Sequence, residues 1–245
     1  MDSKTKNTES TVSDFTPLNE LRGGVVYKIA ILGLMLQVLL SLITIISCSM
    51  QIGFLQNVQS GYYQSQLEIN QAASANDMRH GSIGMAEVSV FVLSGIFILM
   101  WIYKAHKNAI EYGLNKEFTA GWAVGSFFVP IINLFRPFQA MVELYTCSES
   151  PSNWKSSSSS NYYRSIEKSM ASSTLLIRLW WALWMISFFL GQMFFRWDPE
   201  GLDEWLNYTY FEIGNSVFDI ILTIVFIVVI KKVYKNQRLN FLEQY

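Results

Sequence analysis

VVYKIAILGLMLQVLLSLITIISC, residues Val25–Cys48, is the stretch that decides the fold. Beyond Lys28 it carries no charge, and from Ile29 to Leu67 there are 39 consecutive residues without Asp, Glu, Lys or Arg. A helix rising about 1.5 Å per residue needs roughly 20 mostly apolar residues to cross about 30 Å of hydrocarbon. Such a run excludes a soluble fold, a disordered chain and a disulfide scaffold. Charged residues make up 15% of the 245, against about 25% in soluble domains. A net charge of −1 gives no basis for nucleic-acid binding. Two cysteines, Cys48 and Cys147, are too few for a disulfide framework.

Working outward, three more segments meet the spanning standard. The expected spans are about 25–48, 83–103, 175–195 and 211–234, forming a membrane domain over 25–235. Residues 1–24 are polar, lack the pattern of a signal peptide and read as a disordered cytoplasmic tail. A Ser-rich cytoplasmic linker is expected over 147–165 and a cytoplasmic tail over 236–245. With both termini inside, 16 of the 18 Lys and Arg fall on the inner side. That is the bias of the positive-inside rule. The outer loops are acidic, carrying Glu68, Asp77, Asp198, Glu200, Asp203 and Glu204. Trp197, Trp205, Tyr208 and Tyr210 read as an outer aromatic belt, and Trp101, Tyr103, Trp180 and Trp181 as an inner one. Gly33, Gln37 and Ser41 recur at four-residue spacing and mark a packing face on the first span.

Between spans two and three lies a fifth apolar stretch, Phe118–Phe135, interrupted by Gly121, Gly125 and Pro130. A fifth crossing would carry Arg136, Lys155, Arg164 and Lys168 outside, against the charge bias. Pro130 and Pro137 each remove a helix hydrogen bond, so 118–145 is expected as a broken helix, re-entrant or interfacial. The fold class is therefore an all-α integral membrane protein of four transmembrane helices plus this Pro-broken element.

The surrounding residues carry a resemblance. Trp101, Lys104, Ala105, Asn108 and Ala109, then Gly113, then GWAVGSFFVPIINLFRPFQAMVEL over 121–144 resemble the bacterial membrane protein family called domain of unknown function 4328. Lys104 stands where that family usually has Arg, and Ala120 where Pro is common. The resemblance implies a multi-pass protein of the bacterial inner membrane and supplies no activity.

Ionisable groups at membrane depth are the first place to look for function. Asp219 lies about 18 Å up its helix from Lys231, with Glu212 and Asn215 on roughly the same face. These three read as a proton- or cation-binding site. Alternatively Lys231 and Lys232 snorkel, the helix shifts, and Asp219 reaches the outer headgroups. On the inner side Lys104, Asn108, Asn133, Arg136, Gln139 and Glu143 form a second candidate set. Arg136 and Glu143 read as a clip, with each other or with Lys104 or Lys107, or else as a headgroup or substrate site. Asn133 is placed to bond carbonyls freed by Pro130. The histidines, His80 outside and His106 inside, cannot share a site, and no metal-ligand spacing, cofactor motif or catalytic constellation is legible.

The expected role is a non-enzymatic scaffold or accessory component of a membrane assembly, its partners being the lipid bilayer and a membrane protein or further copies of itself. The alternatives are a small oligomeric transporter or channel subunit using an intramembrane carboxylate, and an intramembrane lipid-modifying enzyme. Cysteine labelling in intact cells checks the topology: positions in 53–82 and 197–210 react from outside, and positions in 146–170 react only after permeabilisation.

Overall fold

The computed structural model describes residues 20–114, 117–151 and 175–242, and these are helical with short turns. The elements are α1 (Gly24–Gln59), α2 (Gln66–Glu111), α3 (Ala120–Gly125), α4 (Arg136–Glu149), α5 (Leu175–Arg196) and α6 (Leu202–Gln237). Four of them, α1, α2, α5 and α6, are long and apolar enough to cross a membrane. Most of the expected 1–24 tail and of the 147–165 linker lies outside the described residues.

α1, α2 and α6 group together, and α5 joins them through α6. α1 packs on α2 and on α6, α6 packs on α5, and α4 lies across the inner ends of α2, α6 and α5. Gly33 makes the closest approach: a Cβ there would sit 2.6 Å from Ser94 Cβ. Gln37 Nε2 donates to Ser94 Oγ at 2.7 Å, and Thr44 Oγ1 donates to Glu87 Oε1 at 2.5 Å. Small residues and interhelical hydrogen bonds of this kind hold helices together where burial from water gives no driving force. The most apolar stretch of α2 is largely uncovered among the described residues, with 6% of it buried. Val88, Phe91, Val92 and Ile96 point outward.

The apolar core sits at the end where α1 begins and α6 finishes, the end that the charge bias of the sequence leads one to expect inside. Trp101, Ile102 and Ala105 of α2, Met141, Leu144 and Tyr145 of α4, Ile177 and Trp180 of α5, and Val229, Ile230 and Val233 of α6 are all buried. Flat stacks join the elements: Tyr27 on Tyr234 at 3.9 Å and Trp180 on Phe226 at 4.6 Å. The inner aromatic belt is thereby corrected. Trp101, Trp180 and Trp181 are core residues, because α4 covers the faces that a simple bundle would give to the headgroups, whereas Tyr103 stays exposed.

Order extends beyond the expected spans and tails in four places. Ser65 caps α2 by accepting from Glu68 N while Glu68 Oε2 accepts from Gln64 N, so the helix begins at Gln66, well before the expected span start near 83. The 46 residues of α2 make it about 69 Å long, over twice the hydrocarbon thickness. The outer connections shrink to residues 60–65 and 197–201. At the N-terminal edge, residues 20–24 are ordered against α2, through Arg22 and Gly23. At the other edge a π-helical turn, Arg238–Leu242, tucks Phe241 into the core, stacked on Tyr112 at 4.5 Å, where a tail was expected.

The central segment reverses direction. Thr119 Oγ1 caps α3 by accepting from Trp122 N, and a 3₁₀ turn, Ser126–Phe128, leads to Pro130. Ile131 then adopts φ 70°, ψ −52° and Ile132 N donates to Pro130 O at 2.8 Å, a γ-turn of the strained positive-φ kind. A second 3₁₀ turn, Ile132–Leu134, opens onto α4. A straight helix would separate Glu117 from Arg136 by about 28 Å; here they form an ion pair, so the two ends of the segment come together. Pro137 breaks nothing, since it occupies the first turn of α4, where its missing N–H has no intrahelical partner to lose.

Replacing Gly33 with Leu should drive α1 from α2 and lower stability by about 1–3 kcal/mol. Gly53→Ala, which meets no atom within 4 Å, should stay within about 0.5 kcal/mol of the parent. Thermal unfolding of both in detergent checks this.

Candidate functional site

Buried polar side chains gather at the two ends of the helices and at one place between. The inner cluster starts from Asn108, near the C-terminal end of α2 and 2% exposed. Its Oδ1 accepts from Arg22 N at 2.9 Å, and its Nδ2 donates to Arg22 O and to Gln237 Oε1, each at 3.3 Å. Gln237 Nε2 donates in turn to Ala105 O at 2.9 Å. One amide thus ties the entry of α1, the exit of α2 and the end of α6. Arg22 closes the clamp by pairing with Glu111 at 2.7 Å. The Lys104 stem covers Gly23, whose φ of 92° suits glycine and where a Cβ would come within 2.9 Å of that stem.

Beside the clamp, the buried Glu143 carboxylate accepts from Glu117 N at 3.3 Å. The Glu117 side chain pairs with Arg136, whose guanidinium lies over the Phe118 ring at 5.7 Å. Arg136 and Glu143 therefore connect through Glu117 rather than directly. Asn133 bonds through its backbone, Asn133 N donating to Val129 O at 2.9 Å, and its buried Oδ1 meets no donor among the described residues. Gln139 is exposed. Burial raises the Tyr112 and Tyr145 phenols above their ordinary range, keeping both neutral. Tyr112 OH donates to Asn240 O at 3.0 Å, and the Lys232 ammonium stands 5.0 Å over the Tyr145 ring.

Between the ends, Asp219 accepts from Ser187 Oγ of α5 at 3.1 Å and from Asn215 Nδ2 at 3.0 Å. Glu212 is not part of this group. It turns to His80 of α2, Oε1 lying 3.0 Å from His80 Nε2.

Glu212 instead belongs to the outer cluster. Cys48 of α1, His80 of α2 and Glu212 of α6 bring a sulfur, a ring nitrogen and a carboxylate oxygen within 4.8 Å of one another. His80 Nδ1 lies 3.3 Å from Ser47 Oγ. Arg79 braces Ser47, with Nε donating to Oγ at 3.1 Å and Nη2 to the carbonyl at 3.3 Å, and Nη2 also donates to Asn76 Oδ1 at 2.5 Å. Further out, Gln51 Nε2 donates to Thr209 Oγ1 at 3.1 Å, joining α1 to α6. The trio escapes sequence reading because its members come from three helices whose register is set only on packing. A partial signal was present: Gln37, Thr44 and Gln51 on α1, and His80, Glu87 and Ser94 on α2, recur every seventh residue. The four-residue stripe Gly33, Gln37 and Ser41 catches only one end of that seam.

Residues 65–235 match the family described as Domain of unknown function (DUF4328), and the chain belongs to it. No curated protein and no solved structure matches the chain. The matched region takes in Asn108, Glu143, His80, Glu212 and Asp219, and leaves Arg22 and Cys48 outside.

Asn108→Ala should strand the Arg22 N–H and the Gln237 carbonyl oxygen in a buried place, costing about 1–3 kcal/mol. Unfolding in detergent, with proteolysis at the freed N-terminal segment as a second readout, checks it.

Proposed function

We propose that this family member is a multi-pass protein of the bacterial inner membrane, with both termini cytoplasmic, serving as a non-enzymatic scaffold or accessory component beside other membrane proteins. The observation that carries the reading is the large apolar surface that α2 and α5 leave uncovered among the described residues. On α2, Val88, Phe91, Val92 and Ile96 are exposed, and on α5, Leu179, Ile186, Phe189 and Met193 are exposed. A pore would need helices closed around a polar lumen. An open, mainly apolar groove of about 780 Å³ lies instead along the end of α5, lined by Phe188, Phe189, Gln192, Met193, Arg196 and Trp197. Such faces suit lipid and neighbouring helices. The returning segment supports the same setting, since Phe128 and Ile131 at its tip are more than 70% exposed and suit the inner lipid boundary.

A second reading, a transporter or channel subunit, draws on Asp219, held toward α5 by Ser187. Interior carboxylates of this kind line ion pathways.

Gentle extraction followed by mass measurement of the intact complex should find the chain with a membrane-protein partner, or with further copies of itself, at fixed stoichiometry. Proteoliposomes of the purified chain should show no ion flux. A lone monomer that conducts, and loses conduction on Asp219→Asn, would replace this reading with the second.

A further inference from the structure

We infer that Cys48, His80 and Glu212 bind one divalent transition-metal ion of the zinc class. The donor set points there first. A thiol, an imidazole and a carboxylate converge from three helices, and sulfur with nitrogen selects a borderline-soft ion over calcium or magnesium. The spacing is close to what coordination needs. Bonds of about 2.0–2.3 Å in a tetrahedral site place ligand atoms about 3.4 Å apart. His80 and Glu212 are already at 3.0 Å, and the whole trio lies within 4.8 Å.

One observation at the site points to a cation among these groups. Glu212 Oε2 is buried and takes no hydrogen bond among the described residues. Ser47, braced by Arg79, supplies the outer partner that a metal-bound imidazole ordinarily uses to fix its ring.

Access is also provided. Glu212 stands about 28 Å up α6 from Lys231, at the outer margin of a hydrocarbon layer of about 30 Å. The His80 and Glu212 side chains are 28% and 18% exposed, while Cys48 is buried behind them. Three protein ligands leave a fourth position for water or a further donor. Binding displaces the thiol proton, and any proton shared by His80 and Glu212, to solvent, so affinity falls as pH falls. The other titratable or charged groups facing the trio are Arg79 and Glu87 from α2 and Tyr208 from α6. The Arg79 cation opposes the ion and the Glu87 carboxylate favours it.

Cobalt(II) titration of the chelator-stripped full chain in detergent tests the site. Expected are one cobalt per chain, a thiolate-to-metal charge-transfer band, and displacement by zinc. The band should persist in Cys147→Ala and vanish in Cys48→Ala, and Ser47→Ala should weaken binding about 10–100-fold. His80→Gln and Glu212→Gln should weaken it at least as much. Should Cys48→Ala fail to fold, the Cys147→Ala protein decides alone, since its band can come only from Cys48. No charge-transfer band in the parent, a band lost with Cys147, or one retained without Cys48 overturns the assignment.

Discussion

Polar side chains between apolar helices need partners that hydrocarbon does not offer, and in α1 several of them find theirs on neighbouring helices. The architecture depends on that constraint. Gln37 with Ser94, Thr44 with Glu87 and Gln51 with Thr209 fix the vertical register of α1 against α2 and α6. Sliding either neighbour by one turn would leave several such groups unpaired at once, at about 1–3 kcal/mol each. The apolar surfaces are interchangeable by comparison: Leu against lipid and Leu against Leu differ little. Few contacts therefore specify this part of the structure, and they are polar.

The inner end obeys a different economy. There α4 closes over the ends of α2, α5 and α6, and burial is dense enough to hold whole aromatic side chains such as Trp101 and Tyr145. Asn108 and Gln237 sit within it as a small satisfied network rather than an exposed site. The reversal at Pro130–Ile131 is held by flanking order: the α3 cap at Thr119 on one side and Pro137 opening α4 on the other. A β-branched residue at positive φ is costly, and both arms must be anchored for it to persist.

How much of this was legible depends on the kind of signal. The apolar stretches within α1, α2, α5 and α6 announce themselves by composition alone, and so does the interruption at Pro130. Family membership was equally plain, since Trp101–Leu144 carries a long motif. Helix ends were not read, because Gln66–Ser82 is polar and helical through its cap; the Ser65 and Glu68 pair was the available clue. The aromatic residues misled for a physical reason: tryptophan serves both interfaces and cores, and only the position of α4 separates the two. Glu117 was passed over between its more conspicuous partners, Arg136 and Glu143. Cys48, His80 and Glu212 share no local spacing at all.

The length of α2 has a mechanical consequence. Its first turns, paired with the end of α1 through the short connection at residues 60–65, make a stalk that rises about 25 Å above the expected start of the span near residue 83. α5 ends at Arg196 and builds no such stalk. A sideways load on the tip would act through a long arm on the one seam where α1 and α2 are bolted together at Ser47, Thr44 and Gln37. The first turns of α6 share that load, since Gln59 Nε2 donates to Asp203 Oδ1 at 3.2 Å and Gln51 to Thr209, so leverage on the tip is spread over three helices.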